Sequence, residues 1–293
     1  MSKPSLKARL ADKRLIAAPG IYDMISARIA DGMGFEALYM TGYGTVASHL
    51  GLPDAGLASY TDMVSRVTQF CQGTRTPVIC DGDTGYGGLL NIRHTVRGYE
   101  AAGAAGIQIE DQEAPKKCGH TPMKRVVPLA EAVRRIEVAA DARASAEFLV
   151  VARTDARAML GLDEALRRGE AFRKAGADIV FVEAPESEAE FAAIGRAFDC
   201  PLLANMVEGG KSPMLTPARL QELGFRMAIY PGSGFTAAAA ALQAVYRRIR
   251  DTGSSLGAGV PLYPFPEMNK LMGFEDVWAF ERRWAEGEKG RAS

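Results

Sequence analysis

Cys118 sits in Lys116-Lys117-Cys118-Gly119-His120, where two ammonium groups and an imidazole surround one sulfur. Cationic neighbours favour the thiolate and make a thiol a usable proton donor or nucleophile near neutral pH. A solvated basic loop explains the same residues, since charge runs commonly mark solvated faces. Just upstream, Glu110-Asp111-Gln112 follows an apolar run, so a carboxylate at a strand end and the cysteine share one stretch of chain.

A second group of acids supplies different chemistry. Asp81 and Asp83 are two residues apart, so on a continuing strand both side chains face one side. With Glu110 they form a crowd of carboxylates that a divalent cation would compensate, and an all-oxygen set suits magnesium or manganese. The competing explanation is that Asp81 and Asp83 cap the glycine-rich turn Gly82 to Gly88. The histidines, His49, His94 and His120, have no paired ligand spacing, and no Gly-x-Ser-x-Gly elbow is present. Gly42-x-Gly44-x-x-Ala47 with Asp62 is a partial dinucleotide fingerprint. Gly210-Lys211-Ser212 ends like a P-loop, but Asn205 stands where its first glycine belongs. Neither carries an argument.

These residues need a frame, and the chain offers eight short apolar runs to build it. They are Leu15–Ala18, Ala37–Met40, Pro77–Cys80, Gly106–Ile109, Phe148–Ala152, Ile179–Val182, Pro201–Ala204 and Met227–Tyr230. Near-continuous aliphatic content suits parallel strands buried on both faces. Helical periodicity separates them, as at Leu129–Arg143 and Leu162–Lys174, the latter ending before Gly176. The predicted fold is an α/β, TIM-type (β/α)8 barrel, one domain over residues 1–293. Catalytic groups of such a barrel gather at the C-terminal ends of the strands. There the runs give way to Thr41-Gly42-Tyr43-Gly44, Asp81-Gly82-Asp83, Glu110, Arg153-Thr154-Asp155, Glu183 and Asn205.

Thirty-five basic and thirty-five acidic residues cancel, leaving no electrostatic footprint for nucleic acid or an anionic membrane. A small-molecule partner is expected instead. The four cysteines, Cys71, Cys80, Cys118 and Cys200, show no disulfide or zinc spacing, which suits a reducing, cytoplasmic setting. Neither a signal segment nor a run of about 18 apolar residues is visible. The alanine-rich Thr236 to Val245 is expected as a packed helix.

Lys116 to His120, with Tyr39-Met40-Thr41-Gly42, Gly51-Leu52-Pro53-Asp54, Asp81 to Gly87, Ala152 to Ala156 and Leu203 to Lys211, resembles the motif set of the isocitrate lyase and phosphoenolpyruvate mutase superfamily. The resemblance covers nearly the whole chain. It implies a bound Mg2+, or Mn2+, held directly by Asp81 and directly or through water by Asp54, Asp83 and Glu110. It implies substrate contacts from Thr41, Gly42, Tyr43, Asp81, Lys117, Gly119, His120, Arg153 and Asn205. Cys118 is expected to protonate a carbanion from its closing loop, with Tyr39, Arg153 and Glu183 as the other catalytic residues.

The cysteine loop favours the carbon-carbon lyases of the superfamily over mutases whose loop differs. After Asn205, the residues Met206-Val207-Glu208-Gly209-Gly210 depart from the 2-methylisocitrate-cleaving pattern and resemble that shared by 2,3-dimethylmalate lyases, petal-death type enzymes, oxaloacetate hydrolases and carboxyphosphonoenolpyruvate mutases, the last of which also keep a cysteine loop. The implied reaction is cleavage of a 2-hydroxydicarboxylate of the 2-alkylmalate kind to pyruvate and a short carboxylate. Alternatives are 2-methylisocitrate cleavage, oxaloacetate hydrolysis and carboxyphosphonoenolpyruvate phosphonomutation. The resemblance also implies a homotetramer, a dimer of dimers, in which residues 245–293 carry a helix exchanged between subunits. The simpler expectation is a C-terminal helix packed on its own barrel.

Overall fold

The structure is a computed structural model and describes residues 5–12, 14–119 and 123–288. Eight parallel strands form one sheet: β1 (Ile16–Ile21), β2 (Leu38–Met40), β3 (Val78–Asp81), β4 (Gly106–Glu110), β5 (Leu149–Thr154), β6 (Ile179–Val182), β7 (Leu203–Asn205) and β8 (Met227–Tyr230). Neighbours pair in the order β6-β5-β4-β3-β2-β1-β8-β7. The ring closes where Leu202 bridges Val180 in parallel and the Val180 amide donates to the Pro201 carbonyl at 3.0 Å. The expected TIM-type α/β barrel is therefore the observed architecture, and each of the eight apolar runs contributes a strand.

Strand ends moved where local chemistry and tertiary contact disagreed. Pro19-Gly20 reads as a breaker, yet β1 continues through it to Ile21, with Gly20 paired to Tyr39 and Ile21 to Met40. A β-carbon on Gly20 would lie 2.6 Å from Pro231 Cα, so the glycine is there for a close backbone approach. The helix over Leu162–Lys174 forms as read, whereas the Leu129 helix ends at Ala142. Asp62 is a helix cap: Ser59 and Asp62 make a capping box, which removes the ribose-binding reading.

Side-chain alternation decides what enters the barrel. On β3, Val78 and Cys80 pack outward with the helices, while Ile79 joins the interior set of Ile16, Tyr39, Val151, Phe181, Leu203 and Ile229. The same parity carries Tyr39, Asp81, Glu110, Arg153, Glu183 and Asn205 to the C-terminal mouth, where they line one cavity.

The chain divides into two compact units, 1–236 and 237–293. The boundary falls inside the Ser233–Thr252 helix, which contains the predicted Thr236 to Val245 but buries none of its residues. In the second unit, helices Phe265–Met272 and Phe274–Glu288 pack together. Among the described residues, no helix is long and apolar enough to cross a membrane.

Candidate active site

The cavity at the strand ends has a volume of about 320 Å³, enough for a small dicarboxylate. Its floor is polar and cross-linked. Arg153 donates through Nε to Asp155 Oδ2 at 2.9 Å and through Nη2 to Asp155 Oδ1 at 3.0 Å. It also stands 3.4 Å from Glu110 Oε2 and 3.2 Å from Glu183 Oε2, with its guanidinium 5.3 Å from the Phe181 ring centroid. Asn205 Nδ2 donates to Glu183 Oε2 at 3.2 Å. The Tyr39 hydroxyl donates to Gln108 Oε1 at 3.0 Å, and Gln108 Nε2 reaches Asp81 Oδ1 at 3.3 Å.

The short Gly42–Leu50 helix opens at the rim, capped by the Thr41 side chain, and its first residue, Gly42, lies against the Asp81 carboxylate. Thr41 and Tyr43 line the cavity, and Tyr43 packs against Phe235 with ring centroids 5.2 Å apart.

The cysteine loop lies across this cavity, held from both sides. Gln112 clasps the Lys117 backbone through both ends of its amide, at 2.8 and 3.0 Å. The Cys118 amide donates to the Asp54 carbonyl at 3.2 Å. Lys124 Nζ donates to the Gly119 carbonyl and to Asp155 Oδ1, the latter at 2.6 Å. Gly119 sits on the floor itself: a β-carbon there would stand 2.4 Å from Arg153 Nη2 and 2.8 Å from Glu183 Cδ.

Electrostatics single out the acid group. Lys116 is buried with its ammonium paired to Asp54 and, at 2.6 Å, to Asp83 Oδ1. Burial opposes its charge, but Asp83 and Asp54 raise its pKa well above the usual lysine value. Asp83 is pushed up to about 7, chiefly by burial; Lys116 opposes the rise and Asp81 and Asp54 add to it. Glu110 is raised well above the carboxylate range by burial, against the pull of Arg153. In contrast, Arg153 and Lys124 hold Asp155 below its ordinary value despite its burial.

The donor set fits a hard divalent cation. Glu110 Oε1 is buried without a hydrogen-bond partner, and one lysine faces three aspartates. Such an uncompensated oxygen-rich group is what a hard divalent cation neutralises. As they stand, however, the described residues contain no group of three or more His, Cys, Asp or Glu gathered as a ligand set. Lys116 occupies the space between Asp54 and Asp83.

Of the residues singled out in the sequence, Tyr39, Thr41, Tyr43, Asp54, Asp81, Glu110, Lys117, Cys118, Gly119, Arg153, Glu183 and Asn205 all line the one cavity. Gly42 and Asp83 stand directly behind it, against Asp81 and Lys116. His120 lies outside the described residues. His94 packs against Tyr60 with ring centroids 4.5 Å apart, and His49 lies in the last turn of the Gly42 helix. Sequence reasoning missed Gln108, Lys124 and Phe235. Lys124 lies beyond the recognisable motif, and Gln108 hides within an apolar strand. Phe235 precedes an alanine-rich stretch with no signature of its own.

Comparison with known proteins agrees with this geometry. The family model described as phosphoenolpyruvate phosphomutase matches residues 6–250. A 2,3-dimethylmalate lyase of Eubacterium barkeri is 43% identical over 96% of this chain and 98% of its own. A 2-methylisocitrate lyase of Aeropyrum pernix is 41% identical over 98% and 92%. Oxaloacetate acetylhydrolase, solved with 3,3-difluorooxalacetate, superposes with a TM-score of 0.90 at 37% identity, covering 96% of each chain. A phosphonopyruvate hydrolase, solved with oxalate and Mg2+, gives 0.85 at 32% identity over 96% and 98%. With identity and fold matched over nearly its full length, the chain belongs to the phosphoenolpyruvate mutase/isocitrate lyase superfamily.

Proposed function

We propose that this protein is a magnesium-dependent carbon-carbon lyase that cleaves a 2-alkylmalate, of the 2,3-dimethylmalate kind, to pyruvate and a short carboxylate. The observation that carries the reading is the placement of the Cys118 loop directly over Arg153 and Glu183, on the same cavity as Asp54, Asp81 and Glu110. Similarity to the Eubacterium barkeri lyase supports the substrate class.

The chain's own groups divide the work. Arg153, Asn205 and the first amides of the Gly42 helix hold the carboxylate of the pyruvate half. Asp81 would hold Mg2+ directly and Asp54, Asp83 and Glu110 directly or through water, once Lys116 no longer fills the space between Asp54 and Asp83, and Mn2+ could substitute. Bound there, the ion would polarise the 2-hydroxyl and its neighbouring carboxylate and favour loss of the hydroxyl proton. Burial, reinforced by the Asp81 charge, raises the Tyr39 phenol well above its ordinary pKa. Tyr39, whose hydroxyl bonds Gln108 on the cavity floor, orients the substrate hydroxyl and assists its deprotonation. Glu183 keeps Arg153 and Asn205 in place. Cys118 Sγ delivers a proton to the carbon that leaves as a carboxylate-stabilised carbanion.

We further propose a homotetramer with the C-terminal helix exchanged between subunits, acting in the cytoplasm, where the four free cysteines persist. The test is incubation of the purified protein and Mg2+ with 2,3-dimethylmalate, 2-methylisocitrate, isocitrate and oxaloacetate. Products are read by keto acid formation or loss, with oxalate analysed separately. Pyruvate from dimethylmalate is expected to dominate; no turnover of any of the four overturns the proposal. Oxalate from oxaloacetate alone would assign a hydrolase, and a new phosphorus resonance from carboxyphosphonoenolpyruvate a phosphonomutase.

A further inference from the structure

We infer that Lys124 is a positioning residue that fixes the thiol of Cys118 by tying the Gly119 carbonyl to Asp155 on the barrel floor. The inference rests on the role proposed above for Cys118. Lys124 is buried, with its side chain only 2% exposed, and its ammonium bonds both the Gly119 carbonyl and Asp155 Oδ1. Burying an ammonium is costly unless it is paired and hydrogen-bonded. Here both requirements are met by one residue of the cysteine loop and one residue of the floor.

Neutralising Asp155 does not by itself require Lys124. Arg153 already pairs with that carboxylate through two nitrogens. What Lys124 adds is the link to Gly119. Besides the Gln112 clasp on Lys117, the segment carrying Cys118 is supported at three points: its amide on the Asp54 carbonyl, the bare α-carbon of Gly119 against Arg153 and Glu183, and the Gly119 carbonyl on Lys124. The first fixes one side of the thiol and the second sets its depth. Of these, only the third ties the carbonyl side of Gly119, the residue that follows the cysteine, to the barrel floor. Because Asp155 also fixes Arg153, one carboxylate registers the proton donor against the group that holds the substrate carboxylate. A proton donor misplaced by about 1 Å loses on the order of 100-fold in rate.

Two variants test this. Lys124→Met keeps length and apolar bulk but removes both hydrogen bonds; Lys124→Arg keeps the charge and donors. Peptide-resolved mass spectrometry of iodoacetamide labelling reads Cys118 directly, without substrate and apart from Cys71, Cys80 and Cys200. Lys124→Met is expected to change the Cys118 labelling rate at least fivefold and to lower kcat about 100-fold, with KM for dimethylmalate moved less than threefold. Lys124→Arg should restore labelling to within twofold of wild type. Wild-type labelling of Cys118 in Lys124→Met, or failure of Lys124→Arg to restore it, overturns the inference. If Lys124→Met does not fold, Lys124→Gln takes its place under the same criteria. If the unmodified enzyme cleaves none of the acids, the proposed reaction fails, while the labelling comparison still decides the place of Lys124.

Discussion

Gly42 and Asp81 touch: a β-carbon on Gly42 would stand 2.3 Å from Asp81 Oδ2. The first turn of a helix thus approaches a carboxylate at the end of a neighbouring strand with no room for a methyl group. Gly42→Ala must therefore push Asp81 out of place. The expected result is a loss of about 100-fold in kcat/KM and a weaker apparent Mg2+ affinity, with thermal stability changed far less. Activity titrated against Mg2+ checks it; an unchanged midpoint would show that Asp81 does not hold the ion.

Cys118→Ser should separate binding from chemistry. Serine preserves the loop contacts made by the Cys118 amide and by Gly119, but its hydroxyl is a much weaker acid than a thiol. We expect kcat to fall by about 10² to 10⁴ and oxalate to bind as before when Mg2+ is present. Calorimetric titration with oxalate supplies the second half of the comparison. Full activity in the variant would remove Cys118 from the proton transfer.

The acid group predicts a pH dependence of stability in the metal-free protein. Asp83 rises from an ordinary value of 3.8 to about 7 on folding. The folded state therefore holds this proton more tightly than the unfolded chain. Stability present below about pH 4 is lost as pH climbs through 7, by up to about 4 kcal/mol for this group. Glu110 and Asp111 shift in the same direction, so Asp83→Asn should remove part of the slope rather than all of it. Thermal unfolding in chelator between pH 5 and 8 measures this. Added Mg2+ should stabilise the parent more at pH 8 than at pH 5.

Much of the site could be read from strand ends. Once eight runs were recognised as strands, Asp81, Glu110, Arg153, Glu183 and Asn205 followed as polar residues at one end of a barrel, while Tyr39 came from the family resemblance. Lys124 and Gln108 could not be found this way. Gln108 faces inward among aliphatic residues, and only its bonds to Tyr39 and Asp81 give it meaning. Those partners come from strands paired through space. Lys116 shows the opposite limit: the sequence grouped it with Cys118 as a basic loop, whereas the fold buries its ammonium among the acids.

The C-terminal unit provides the last prediction. Along the Phe274–Glu288 helix, Phe274, Val277, Trp278, Phe280 and Trp284 are each more than two-fifths exposed. The rings of Phe274 and Trp278 lie tilted together with centroids 5.8 Å apart and those of Phe280 and Trp284 at 6.0 Å, so the aromatic surface is already assembled along the helix. A contiguous apolar face of this kind is unfavourable in water and marks an association surface. For the proposed homotetramer, light scattering on the purified protein should give four times the 31.4 kDa chain mass. Introducing Trp278→Glu together with Trp284→Glu should lower that mass, because two carboxylates would have to be buried unpaired. Cavity residues such as Arg153 and Glu183 are untouched by these changes, so dissociation and any accompanying loss of turnover can be followed separately. A wild-type mass equal to one chain would rule out the exchanged helix.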